Sequence, residues 1–187
     1  KEIAKRIGYP LVLKIVSPGI LHKTDVGGVR VGIEDEKELV ENYNQILFNV
    51  KKYMPDVNIR GILVQEFIED KKETIIGINE DPQFGHVVMF GLGGIYVEAL
   101  KDVSFRITPL SRKVAAEMIE EIKAVKLLKG TRGEDPSDIE SVIEIILKVS
   151  QLVTDFPEIM EMDINPLFVK RQGEGSIAGD ARIRIGG

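Results

Sequence analysis

The spacing of hydrophobic positions changes several times along the chain, and each change predicts an element. Residues 2–7 read as the end of a helix closed by Gly8 and Pro10. The run Leu11-Val12-Leu13-Lys14-Ile15-Val16 predicts a short buried strand with one charge inside it. A polar loop, residues 17–28, separates it from a second apolar run at residues 29–33, so the pair predicts a hairpin. Asp35 then caps a helix to about Lys52, with Leu39, Tyr43, Ile46 and Val50 at helical spacing.

Three β-branched runs follow at residues 59–68, 73–79 and 87–90, separated by Glu-Asp-Lys-Lys and Asp-Pro-Gln-Phe-Gly turns, and they predict antiparallel strands. Residues 91–103 are glycine-rich and then polar, and residues 105–108 predict another strand. Ser111 caps a helix to about Ala124, and a second helix runs from near Pro136 to around Phe156 after the loop Lys129-Gly130-Thr131-Arg132-Gly133. Extended segments at 159–164, 167–170 and 177–185 complete the chain, turned by Gly173 and Gly175. Antiparallel strands with helices between them make this an α+β pattern, divided into a lobe over residues 1–67 and another over 68–187.

Composition narrows the function. The 187 residues are 43% apolar and 29% charged, which is ordinary for a globular protein. Lys and Arg number 25 against 30 Asp and Glu, a net charge of -5. Duplex-binding domains carry a basic excess, so nucleic acid is not an expected partner. No window nears the roughly 18 apolar residues of a membrane span, so no membrane association is expected. The absence of Cys excludes disulfides, thiolate zinc sites and cysteine nucleophiles, and fits a reducing, cytoplasmic setting.

Lys14 is the first candidate for chemistry. It reads either as an edge-strand lysine whose head reaches water or as a cation meeting a phosphate in a cleft. The loop that follows holds His22, one of two histidines, with Lys23 and the pair Gly27-Gly28, whose amides are suited to approach an anion. Gly91-Leu92-Gly93-Gly94 resembles a phosphate-loop start but has neither the Walker nor the dinucleotide spacing. Lys101-Asp102-Val103-Ser104-Phe105-Arg106 is polar where a strand should be apolar, and reads as an active-site loop or a solvated face. Asp163 and Asn165 stand at i, i+2 on one strand face, and Asp180 lies on the next apolar strand. Two acids and an amide from paired strands supply oxygen ligands suited to Mg²⁺; the bland reading is a strand end with turn-forming residues.

Together, Tyr9-Pro10-Leu11-Val12-Leu13-Lys14, the loop Leu21-His22-Lys23-Thr24-Asp25-Val26-Gly27-Gly28 and Ile62-Leu63-Val64-Gln65-Glu66-Phe67-Ile68 stand in the order expected of an ATP-grasp domain. Phe90-Gly91-Leu92-Gly93-Gly94, Leu100-Lys101-Asp102-Val103-Ser104-Phe105-Arg106, Glu161-Met162-Asp163-Ile164-Asn165-Pro166-Leu167 and Asp180-Ala181-Arg182 narrow this further. The chain closely resembles the β subunit of ADP-forming acetyl-CoA synthetase (acetate–CoA ligase), a family related to succinyl-CoA synthetase. The resemblance implies an ATP-grasp fold, two α/β lobes with antiparallel sheets enclosing a nucleotide cleft. It also implies a ligase that makes ATP from ADP, phosphate and acyl-CoA with Mg²⁺, by way of a phosphohistidine.

By that resemblance Lys14 contacts nucleotide phosphates and Gly27 and Gly28 belong to the loop over them. Gln65, Glu66, Phe67 and Ile68 match the hinge against adenine, and Glu73 the acid at the ribose hydroxyls. Asn165 and Asp180 match the Mg²⁺ ligands, with Asp163 as a third or supporting acid. Arg106 and Arg182 are candidates to clamp phosphate, and His22 matches a histidine that receives a phosphoryl group. The CoA-binding fold and the primary phosphohistidine belong to a partner α subunit, so a hetero-oligomer handling nucleotide, phosphate and acyl-CoA-derived intermediates is implied. The chain departs from the family in entering inside the first helix, without the usual N-terminal segment, and in carrying Gln65 where many hinges carry an acid. Two other readings stand beside this one: another acid–thiol or acid–amine ligase of the superfamily, and a catalytically silent nucleotide-sensing domain.

Overall fold

The computed structural model describes residues 1–20, 22–69, 71–94, 101–131 and 133–186. Leu21, residues 95–100 of the glycine-rich segment, and Arg132 of the loop at 129–133 lie outside the described residues. The chain divides into two compact units, Lys1–Glu69 and Asp70–Gly187, each with its own apolar cluster.

In the first unit, α1 (Glu2–Ile7) leads into β1 (Leu11–Val16), β2 (Val29–Ile33), α2 (Glu36–Tyr53) and β3 (Gly61–Glu66). The strands form an antiparallel sheet in the order β2-β1-β3. The hairpin of β1 and β2 is present as expected. β1 is the central strand, which corrects the edge-strand reading of Lys14: Val29 lies opposite on one side and Leu63 on the other. Side-chain alternation accommodates the charge instead. Leu11, Leu13 and Ile15 point into a core with Ile33, Ile46 and Val50, so Val12, Lys14 and Val16 point to the other face. Asp35 caps α2 by accepting the Glu38 N–H at 2.8 Å, and the helix buries Leu39, Ile46 and Val50.

The second unit contains β4 (Lys72–Asp81), β5 (Gly85–Leu92), β6 (Val103–Ile107), α3 (Arg112–Glu121), α4 (Val125–Leu128), α5 (Ile139–Asp155), β7 (Ile159–Val169), β8 (Ser176–Ala178) and β9 (Ala181–Ile185). Its sheet runs β6-β5-β4-β7-β8, with β9 also on β7. Apolar residues of α3 and α5, such as Met118 and Ile146, cover one face through Ile76, Ile78, Val88 and Phe90. Among the described residues, no helix of this unit takes part in covering the other face.

Three boundaries differ from expectation. The helix expected to reach Ala124 ends at Glu121, because the Asp102 carboxylate captures the N–H groups of Lys123 (2.8 Å) and Ala124 (2.7 Å). The helix expected from near Pro136 starts at Ile139, where Asp138 accepts the Ser141 N–H at 3.0 Å and also those of Gly173 and Gly175. The sequence pattern predicts the tail as two segments followed by one, and the structure reverses this. β7 runs unbroken through Pro166, while its neighbour splits into β8 and β9 at Gly179 and Asp180. The Pro166 carbonyl accepts the Gly179 N–H (2.8 Å), and the Asp180 carbonyl accepts the Asn165 N–H (3.0 Å). Position 179 has no room for a side chain, since a Cβ there would lie 2.5 Å from Phe168 Cε2.

Candidate active site

In the first unit, Lys14 and Gln65 share the sheet face turned away from the core, because Gln65 lies opposite Val12, two residues before Lys14. The hinge continues with Phe67, whose N–H donates to the Pro10 carbonyl at 3.1 Å. Glu66 is exposed, and Phe67 and Ile68 are half-buried. His22 is exposed in the loop after β1. The glycine pair of that loop behaves differently from expectation. Gly27 N–H donates to Thr24 O (2.9 Å) and Gly28 N–H to Lys23 O (2.7 Å), so in this conformation both amides serve the loop and not an anion. The glycines are needed for space: a Cβ on Gly28 would lie 2.5 Å from Ile15 Cγ2.

The second unit's sheet sorts its polar residues by face. The row Phe105–Met89–Gly77–Asp163–Arg182 lies on the face opposite the described helices, because the neighbouring row Arg106–Val88–Ile78–Met162–Ile183 faces those helices. Asp163 and Arg182 are direct cross-strand partners, and alternation along β7 puts Asn165 on the same face. Asp180 is brought beside Asn165 by the backbone hydrogen bond between them. Glu73 is exposed opposite Phe168, on the face opposite that of buried Thr74, and Gly93 packs closely against it, donating to the Glu73 carbonyl at 2.7 Å.

Arg106 is a correction. It stands opposite Val88, on the helix-covered face, and its Nη2 donates to Glu121 of α3 at 2.6 Å. It cannot act beside Arg182, which is on the other face. The run around it is not a loop either: Asp102 is 8% exposed and engaged with helix-end amides, and Val103 already belongs to an edge strand.

Arg182 and Asp163 are joined, with Nε donating to Asp163 Oδ1 at 3.0 Å and Nη2 to Glu161 Oε1 at 2.7 Å. Glu161 accepts a second guanidinium on Oε2, from Arg184 Nε at 3.0 Å. Neither Glu161 nor Arg184 was singled out from sequence, although each lies two residues from a candidate on the same strand, where alternation places it on the same face.

Asp163, Asn165 and Asp180 offer oxygen donors from adjoining backbone, a set that fits a hard cation such as Mg²⁺. Among the described residues, no three His, Cys, Asp or Glu side chains form a group able to hold a metal.

The sequence profile of the ATP-grasp domain matches residues 1–185. The chain is 51% identical over 187 residues to the β subunit of acetate–CoA ligase [ADP-forming] II of Pyrococcus furiosus, covering all of this chain and 79% of that subunit. Its structure is similar to that of acetyl-coenzyme A synthetase 1 of Ca. Korarchaeum cryptofilum in complex with coenzyme A and Ca-AMPCP (TM-score 0.92, 48% identity, covering 98% of this chain and 80% of that one). A second structure of that synthetase, with coenzyme A and Mg-AMPPCP and its phosphohistidine segment pointing towards the nucleotide binding site, is similar with a TM-score of 0.81 at 44% identity, covering 98% and 80%.

Proposed function

Since the chain belongs to the ATP-grasp family and within it to the β subunits of ADP-forming acetate–CoA ligases, we propose that it binds ADP or ATP with Mg²⁺ and passes a phosphoryl group between a phosphohistidine and the nucleotide. The observation that carries this reading is the gathering of Glu73, Asp163, Asn165 and Arg182, with Asp180 alongside, on the sheet face opposite the described helices of their unit. The full reaction converts acyl-CoA, ADP and phosphate to acid, CoA and ATP, and a CoA-binding α subunit supplies the chemistry on the thioester. The relatives described above are ligase and synthetase chains, and a silent sensor has no support among them.

Phosphoryl transfer depends on charge neutralisation and positioning more than on covalent help from the protein. Lys14, on the face of its sheet turned away from the core, meets the nucleotide phosphates as a point charge. Gln65, Glu66, Phe67 and Ile68 line adenine, and Glu73 accepts from the ribose hydroxyls. Asn165 and Asp180, with Asp163, hold Mg²⁺. When bound, the ion neutralises phosphate charge and fixes the geometry of the reacting oxygens. Arg182 clamps phosphate from the same face. His22, exposed in its loop, relays the group: its bond to phosphorus breaks as an ADP β-phosphate oxygen forms the new one, and the imidazole is restored.

The test combines this chain with a partner α subunit, acetyl-CoA, ADP, phosphate and Mg²⁺. ATP should form, and His22→Ala should abolish it while ADP still binds. ATP formation at the normal rate by His22→Ala would demote the histidine to a loop residue. No ATP from the unmodified pair would overturn the reading as a whole.

A further inference from the structure

The four charged side chains Glu161, Asp163, Arg182 and Arg184 form a chain of ion pairs across β7 and β9, and its order is informative. Arg184 reaches Glu161, Glu161 also holds Arg182, and Arg182 ends on Asp163. The acid at the end of this chain is one assigned above to a divalent cation. A guanidinium on Asp163 Oδ1 neutralises that carboxylate and competes with a metal ion for the same oxygen. We propose that Arg182 is an exchangeable counter-ion: its guanidinium holds Asp163 when no divalent ion is bound, and metal binding displaces it towards the nucleotide phosphates. The proposal rests on the reading of Asp163, Asn165 and Asp180 as the metal site.

Geometry supports exchange over permanent pairing. The Arg182–Asp163 contact is a single bond through Nε, between side chains 45% and 33% exposed, and exposed pairs of this kind are weak and readily displaced. The contact from Nη2 to Glu161 is separate, so loss of Asp163 leaves the guanidinium tethered on the same sheet face. Arg184 occupies the other Glu161 oxygen, which keeps that acid paired throughout. The two arginines therefore differ in one respect that can be tested. Both touch Glu161, and only Arg182 is hydrogen-bonded to Asp163.

The probe is Mn²⁺ alone, titrated into the nucleotide-free chain and followed by the electron paramagnetic resonance signal of the free ion. Arg182→Gln should tighten Mn²⁺ binding by about two- to fivefold, the range set by an exposed ion pair. Arg184→Gln, which removes the same charge one pair further along, should leave the affinity unchanged within error. Both positions lie on an exposed edge strand, so both variants should fold. Equal Mn²⁺ affinity in Arg182→Gln and the unmodified chain, or equal tightening in the two variants, overturns the exchange and leaves the metal site standing. No Mn²⁺ uptake by either the unmodified chain or Arg182→Gln overturns the metal site and the exchange together.

Discussion

Replacing Asp102 separates a structural role from a binding role in the polar run before β6. The side chain is 8% exposed, and its two oxygens accept the N–H groups of Lys123 and Ala124 at 2.8 and 2.7 Å. These amides follow the end of α3, where Ile122 has left helical geometry with ψ at 138°. A hydrogen bond to a charged group contributes about 1.5–3 kcal/mol. Lys123 is exposed and Ala124 half-buried, so water recovers part of each loss and the lower end applies. Asp102→Ala should therefore cost about 3 kcal/mol, and Asp102→Asn about half of that, since an amide keeps one acceptor and turns its NH₂ towards the other donor. Urea unfolding followed by circular dichroism measures the loss, which should fall on the transition of the second unit. Hydrogen exchange gives the local check: both amides exchange faster in the Ala variant, and one of them in the Asn variant. A loss under about 0.5 kcal/mol with exchange unchanged would refute the capping account. A change in ADP affinity at constant stability would return Asp102 to the binding surface.

Two other outcomes follow from local geometry. Gly28→Ala would put a Cβ 2.5 Å from Ile15 Cγ2 and 2.9 Å from the Lys23 carbonyl, and should destabilise the first unit by about 1–3 kcal/mol; an unaltered thermal melt would contradict this. The hydrogen bond from the Lys1 side chain, and then its charge, hold the Glu36 carboxyl below the usual range. A lowered folded pKa gives stability that is present above the unfolded value and lost as pH falls through the folded one. A carboxyl ¹³C titration should show the low midpoint rising in Lys1→Met, and a midpoint that stays put would rule out this cause.

Features set within a few residues were legible in the sequence. Asp35 and Ser111 cap the helices expected of them, because a cap needs only its own side chain and an amide three residues on. The β1–β2 hairpin likewise followed from two apolar runs and the polar stretch between them. Features set by distant partners were not legible. The helix after Ser111 looks continuous to Ala124 until Asp102, some twenty residues earlier in sequence, takes its amides. Pro166 looks like a break in β7 until Gly179 and Asp180 are seen to satisfy the backbone on either side of it. The amides of Gly27 and Gly28 look available to an anion until their acceptors within the loop are known.

The two arginines show the same limit within the candidate site. Arg106 and Arg182 each sit in a short polar interruption of an apolar strand, and local pattern treats them alike. Their separation is a matter of register. A side chain's face is set by its row across the sheet, and the row of Arg106 passes through Val88 and Ile78, which are 0% and 3% exposed under the helices. The row of Arg182 passes through Asp163 and Gly77 on the face opposite the described helices. A shift of one residue in any pairing would exchange the two faces. The buried apolar row forbids that shift, because it would turn Ile78, Val88 and Met162 outward and bring Asp163 under the helices. The packing that stabilises the second unit is therefore also what selects Asp163, Asn165 and Arg182 for the open face and excludes Arg106 from it.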